Sequence, residues 1–201
     1  MITEPIKLQP SLPVAPLKDT VIFLGIPVPI ITGRIKSKMA VDAAWNGDKL
    51  IVFVAQKNSQ IEVPGEKDLY KVGTACLIRR ITKNQDSEYT LTAEGITRVY
   101  LKNFIQTEPY LEVEIEDIPE LYERSEQTEA LARTVRDQVR HLMELLGNPM
   151  FESSNLTAMT LFNFNSDDPN QLVNSIAQMV DFKTIDKQQI LELVLVFYLS
   201  S

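Results

Sequence analysis

"LPVAPLKDTVIFLGIPVPIITGR", residues 12–34, sets four prolines among apolar and β-branched residues. Proline lacks the backbone donor and is confined in sheets to edges, strand starts and bulges. The stretch therefore predicts short strands with guarded edges rather than one continuous buried strand. "TVIFL" (20–24) and "VPIIT" (28–32) are its two strand-like runs. Pro13 and Pro16 suit an extended entry, Pro27 follows a turn at Gly25, and Pro29 suits an edge or bulged position. Prolines so placed discourage edge-to-edge pairing.

Outward from this opening, the chain to about residue 118 keeps the period of β-structure. "LIVFVA" (50–55) is a fully apolar run, and "TACLIRRIT" (74–82) and "YTLTA" (89–93) flank the polar loop "KNQDSE". "YLEVEIEDI" (110–118) alternates, with Leu111, Val113 and Ile115 on one face and Glu112, Glu114 and Glu116 on a solvated one. One short helix interrupts the series, "KMAVDAAW", with Ser37 as its expected cap and Gly47-Asp48 as its stop.

Beyond residue 120 the period becomes helical. Leu131, Val135, Val139, Leu142 and Leu146 fall in steps of three and four from a start at Ser125, and Gly147-Asn148-Pro149 ends the run. A second helix is expected from Ser153 or Ser154. Asp168-Pro169 starts a third, with an acidic cap and a proline in the first turn, leading into Leu172, Val173, Ile176, Ala177 and Val180. Thr184 is the expected start of the last, whose end "ILELVLVFYL" (190–199) reads as a buried helix end. Six of the seven glycines precede residue 100, which marks the same change of composition. The expected fold class is α+β: a β-rich, barrel-like lobe over residues 1–118, followed by a helical bundle lobe over 119–201.

Composition excludes more chemistry than it offers. The 201 residues carry a formal charge of −7, against a surface built to hold nucleic-acid phosphates or an anionic membrane. Cys76 is the single cysteine and His141 the single histidine, too few for a nitrogen–sulfur zinc site. A lone cysteine and no signal peptide fit a reducing cytosol, so a cytoplasmic location is expected. No run reaches the roughly 18–20 apolar residues of a membrane span. No Gly-Lys pair, no G-x-G-x-x-G and no G-x-S-x-G occurs, so neither a nucleotide loop nor a nucleophile elbow is present. Glu112, Glu114, Glu116 and Asp117 belong to the wet face of a strand. Arg79-Arg80, a basic doublet without interleaved aromatics, is weak support for RNA. Met143, Met150, Met159 and Met179 fit core filling between short helices. No cofactor and no metal is expected.

The opening stretch also resembles the signature of the N-terminal substrate-recognition domain of the Lon protease family. "LIVFVAQKN" (50–58), "DLYKVGTACLI" (68–78), "AEGITRVYL" (93–101), "EPYLEVEIE" (108–116) and "DFKTIDKQQILE" (181–192) resemble the later blocks in the same order. Leu24 departs from the family by standing where proline is usual, and "LVLVFYLSS" replaces a more charged linker helix. The resemblance implies a PUA-like β lobe joined to a helical bundle, without the ATPase and protease domains that follow it in the family. It implies a domain with no catalysis of its own that captures unfolded or degron-bearing client proteins. The ATPase and protease domains, in the same chain or a partner, are its other expected contacts, with only weak oligomerisation in isolation.

Capture of apolar client segments needs an accessible apolar patch rimmed by polar groups. The candidate in the sequence is the opening loop, Phe23, Leu24, Ile26 and Pro27. Three other classes compete with it: an RNA-binding PUA-like module, a small independent hydrolase, and a regulatory adaptor or oligomerisation piece that recruits partners without binding unfolded chains.

Overall fold

The computed structural model describes residues 6–83, 88–120, 125–145 and 168–199. Six strands come first: β1 (Ser11–Leu17), β2 (Pro27–Thr32), β3 (Leu50–Ala55), β4 (Val72–Lys83), β5 (Tyr89–Gln106) and β6 (Leu111–Ile118). Helix α1 (Ile35–Asn46) lies between β2 and β3. Among the described residues three helices follow the strands: α2 (Glu126–Leu145), α3 (Pro169–Met179) and α4 (Thr184–Leu199).

The strands follow the order β2-β5-β4-β3-β1-β6, and β6 pairs with β5 as well. That second pairing curls the sheet into a barrel of β5, β4, β3, β1 and β6. The length of β5 permits it, because its first part pairs with β2 (Tyr89–Glu94) and its later part with β6 (Arg98–Gln106). At the centre of the wall, every residue of β3 is buried. Ile51 and Phe53 enter one apolar cluster with α1, and Leu50, Val52 and Val54 enter another with Leu12, Leu101 and Val113. A strand covered on both faces loses its alternation, which explains the unbroken apolar run. The expected alternation of 110–118 is present in β6, whose Leu111 and Val113 are buried.

The barrel has an incomplete seam. β1 pairs with β6 only from Ser11 to Val14, and no described strand lies along the outer edge of β2. In a strand, N–H and C=O groups of alternate residues point to opposite edges. The Leu17 carbonyl accepts from Gln56 N, and the Pro10 carbonyl accepts from Ile115 N. Odd positions of β1 thus point toward β3, and even ones, Pro16 included, toward the seam. On β2, Pro27 and Pro29 have no N–H for β5, so Val28, Ile30 and Thr32 make that ladder and the prolines face outward. Three of the four opening prolines therefore remove donors that would point into the seam, and Ile31 supplies the outward N–H left on β2.

The segment 20–24 corrects the expectation of a strand. Only Leu24 makes a bridge, to Gly95, while Val21, Ile22 and Phe23 are buried coil. Side chains elsewhere satisfy their backbone: Phe23 N donates to Gln178 Oε1 at 2.9 Å, and the Ile22 carbonyl accepts from Thr74 Oγ1 at 2.6 Å. Gly25, at φ 74°, turns the chain into β2 and donates to the Gly95 carbonyl at 2.9 Å.

Helical starts and faces are partly as expected. Ser37 is a buried residue inside α1 rather than its cap, because the helix begins earlier and Arg34 occupies the N-cap position. Small buried residues, Ala40, Val41 and Ala44, allow α1 to sit close against the barrel. On α2, Leu131 faces solvent, whereas Ala132, Val135 and Val139 pack on Leu172, Ile176 and Met179 of α3. The same spacing anchored one residue later brings a smaller side chain to the contact. The second expected helix, Leu146 and the side chain of Leu142 lie outside the described residues. Asp168 caps α3 by accepting from Asn170 N at 2.9 Å, with Pro169 in the first turn. Replacing Asp168 by alanine is expected to lower stability by about 1 kcal/mol. An unmoved urea midpoint would refute the cap's contribution.

Candidate functional site

Three of the four residues expected to form an apolar patch are core. Phe23 is 0 % exposed, Ile26 1 % and Leu24 7 %, while Pro27 is half-buried at the start of β2. Phe23 fills a cluster with Val21, Ala55, Val72 and Ile118 of the barrel side and Ala177 and Leu191 of α3 and α4. The opening loop therefore presents no accessible apolar patch. The cause is the coil conformation of 20–24, which turns Ile22 into the barrel cluster and Phe23 toward the helices.

An accessible apolar surface lies instead beside the seam. A cavity of about 550 Å³ opens between the start of α1, the loop after β3 and the turn joining β5 to β6. Ile35 and Met39, one helical turn apart, form its first wall. Ile35 is 71 % exposed and Met39 42 %, because the opposite face of α1 makes the core contact. Val63, also 71 % exposed, and Pro64 form the second wall. Pro109, after the cis Glu108–Pro109 peptide, and Leu111 form the third.

Local chemistry fixes the loop that carries Val63. Gln56 is buried and donates from Nε2 to the carbonyls of Asn58, at 3.2 Å, and Ile61, at 2.9 Å. Gly65 N donates to Asp68 Oδ2 at 2.8 Å, closing the short 3₁₀ turn Glu66–Asp68. Two ion pairs rim the cavity. Lys36 pairs with Glu108 and also donates to the Thr107 carbonyl at 3.0 Å. Lys18 pairs with Glu62 at 2.8 Å, and this hydrogen bond holds the Glu62 carboxyl below its ordinary range.

A second cavity of about 670 Å³ occupies the seam itself, between Ala15–Lys18 of the β1 side and Pro29–Gly33 of the β2 side. Pro16, Arg34 and Glu62 line both cavities. Burial lowers the pKa of Arg34, and the nearby Glu62 charge opposes that shift. Neither Nη1 nor Nη2 of Arg34 has a hydrogen-bond partner, although both are shut off from solvent.

Groups that would support other chemistry are dispersed. Cys76 is buried in the barrel, and burial pushes its thiol well up, which disfavours the reactive thiolate. His141 is exposed on α2. Among the described residues no group of three or more His, Cys, Asp or Glu could hold a metal ion. No helix among them is long and apolar enough to cross a membrane.

Sequence reasoning missed Ile35, Met39, Val63 and Pro109. One signal was available: Val63 is an apolar residue inside the polar run "IEVPGEKD", where no strand buries it. The faces of α1 gave none, because apolar residues lie on both of its sides.

Residues 11–196 match the family described as the ATP-dependent protease La (LON) substrate-binding domain. Lon protease of Desulfovibrio desulfuricans is 38% identical over 183 residues, which cover 90% of this chain and 20% of the relative. Lon protease 2 of Thermus thermophilus is 31% identical over 186 residues, 92% of this chain and 22% of that protein. The chain thus spans about a fifth of the length of these curated relatives. The N-terminal domain of Mycobacterium avium complex Lon protease has the same fold, with a TM-score of 0.70 at 18% identity, covering 90% of this chain and 89% of that one.

Proposed function

We propose that this chain, which belongs to the family of ATP-dependent protease La (LON) substrate-binding domains, holds apolar segments of unfolded or degron-bearing client proteins in the groove between α1 and the loop after β3. The observation that carries this reading is the concentration of exposed apolar side chains, Ile35, Met39 and Val63, around one cavity with ion pairs at its rim. Water is displaced from such a surface when an apolar segment covers it, at roughly 25 cal/mol per Å² of apolar area. The partners are then client polypeptides, delivered to ATPase and protease domains of the kind the larger relatives carry. The chain itself performs no chemistry under this reading.

Exposure makes the groove testable without unfolding the protein. The variants Ile35→Asp and Val63→Asp are expected to melt within a few degrees of wild type, since surface substitutions usually change stability by less than about 0.5 kcal/mol. Each is expected to weaken binding of a reduced, unfolded model protein at least about tenfold, roughly the effect of placing a charge where about 1.4 kcal/mol of apolar contact was made. Wild-type affinity in both folded variants would remove the groove from the site. Binding is expected to change little between low and moderate salt, whereas RNA held through phosphates would weaken steeply.

A further inference from the structure

We propose that the groove reads one carboxylate in the segment it binds, an Asp or Glu flanked by apolar residues, through the guanidinium of Arg34. The inference rests on the groove being the client site and adds the chemistry that would select among clients. Arg34 is placed where the two cavities meet, at the N-cap position of α1, where a donor-only guanidinium cannot cap the helix. Its Nη1 and Nη2 are without any acceptor and shut off from water. A guanidinium stays charged in proteins, so these are donors of a full cation left unsatisfied. Buried polar groups are hydrogen-bonded as a rule, and an exception calls for an explanation, of which a bound acceptor is one.

The neighbouring carboxylates make their direct contacts elsewhere. Glu62 pairs with Lys18, and Glu108 pairs with Lys36. Among the described residues lining the groove, Arg34 is a positive group with no hydrogen-bonded carboxylate, the Glu62 charge acting on it without a direct contact. The seam reinforces the assignment. Its lips include Pro16 and Pro29, which keep their carbonyls but lack N–H groups, so an incoming segment finds acceptors for its own N–H donors on the backbone. For an acceptor on the segment, Arg34 is the donor at hand, and its planar fork fits a carboxylate with two parallel bonds. Cavity space lies on both sides of Arg34, so the chain can run on past it and the carboxylate is that of a side chain. The guanidinium must turn toward one of the two cavities to make the contact.

The test uses the whole 201-residue chain and two fluorescein-labelled, C-terminally amidated peptides of leucine, valine and phenylalanine on serine spacers. One carries a central Glu and the other a Gln at the same place. Wild type is expected to bind the Glu peptide about tenfold more tightly, as a charge-assisted bidentate pair implies. Arg34→Gln is expected to abolish the preference, so that the variant binds its Glu and Gln peptides with equal affinity. Arg34→Lys is expected to keep only part of the preference, since a point charge lacks the fork. Equal binding of both peptides by wild type overturns the inference, and so does a preference that survives in Arg34→Gln. Ile35→Asp separates the two readings. If it weakens both peptides while wild type shows no preference, the groove stands and the carboxylate does not. If neither peptide binds wild type, both fall.

Discussion

Replacing Phe23 by alanine is expected to destabilise the fold by about 3–5 kcal/mol, near the upper end for a single truncation of a buried aromatic. The position explains the size. Phe23 is fully buried between the barrel and the last two helices, against Val72 and Ile118 on one side and Ala177 and Leu191 on the other. Its backbone is pinned from both directions, by Gln178 at its N–H and by the close approach of Gly95. A Cβ on Gly95 would come within 2.5 Å of the Phe23 carbonyl oxygen, so the chain cannot shift toward β5 to fill the void. Urea unfolding followed by helical and aromatic signals is the measurement. A loss below about 1 kcal/mol would mean that the site collapses without difficulty, contrary to this packing.

Glu120→Ala is the second large effect expected, about 3 kcal/mol. Arg98 is on β5 with its side chain only 4 % exposed, and it donates from Nη1 to Glu120 Oε1 at 2.7 Å and from Nη2 to Asn174 Oδ1 at 2.9 Å. Asn174 in turn donates to the same Glu120 oxygen at 3.1 Å. Removing the carboxylate leaves a buried cation with one neutral partner, the situation that makes broken buried pairs cost about 3–5 kcal/mol. The lower figure applies because the Glu120 side chain is 31 % exposed and water can partly replace it. Adding Arg98→Met to Glu120→Ala is expected to recover most of the loss, because an apolar side chain leaves no orphaned charge. If the double variant were no more stable than Glu120→Ala, the loss would have to come from Glu120's packing rather than from the stranded cation.

Much of the architecture was written in residue spacing. The alternation of 111–116 predicted a half-solvated strand and the run 50–55 a strand, and both exist, the second with every residue buried. Asp168-Pro169 predicted a helix start that a side-chain hydrogen bond now explains. The α+β class, strands first and helices after, is that of the Lon N-terminal domain fold. Failures share a cause. "TVIFL" has strand composition, but strand status depends on finding a partner edge, and its backbone finds Gln178 and Thr74 instead. Leu131 and Ala132 fit the same helical period, and only the approach of α3 decides between them. The apolar opening loop was expected to meet clients, yet whether an apolar residue is core or surface depends on elements distant in sequence. Ile35, Val63 and Pro109 meet at one groove from three separate stretches, and no local pattern announces their convergence.

The prolines of the opening stretch bear on how the barrel treats its own gap. Pro16 on one lip and Pro29 on the other line the seam cavity, and each presents a carbonyl without an N–H. Closing the gap through backbone hydrogen bonds therefore lacks donors at Pro16 and Pro29. Whatever enters must bring hydrogen-bond donors with it, and an extended polypeptide carries one at nearly every residue.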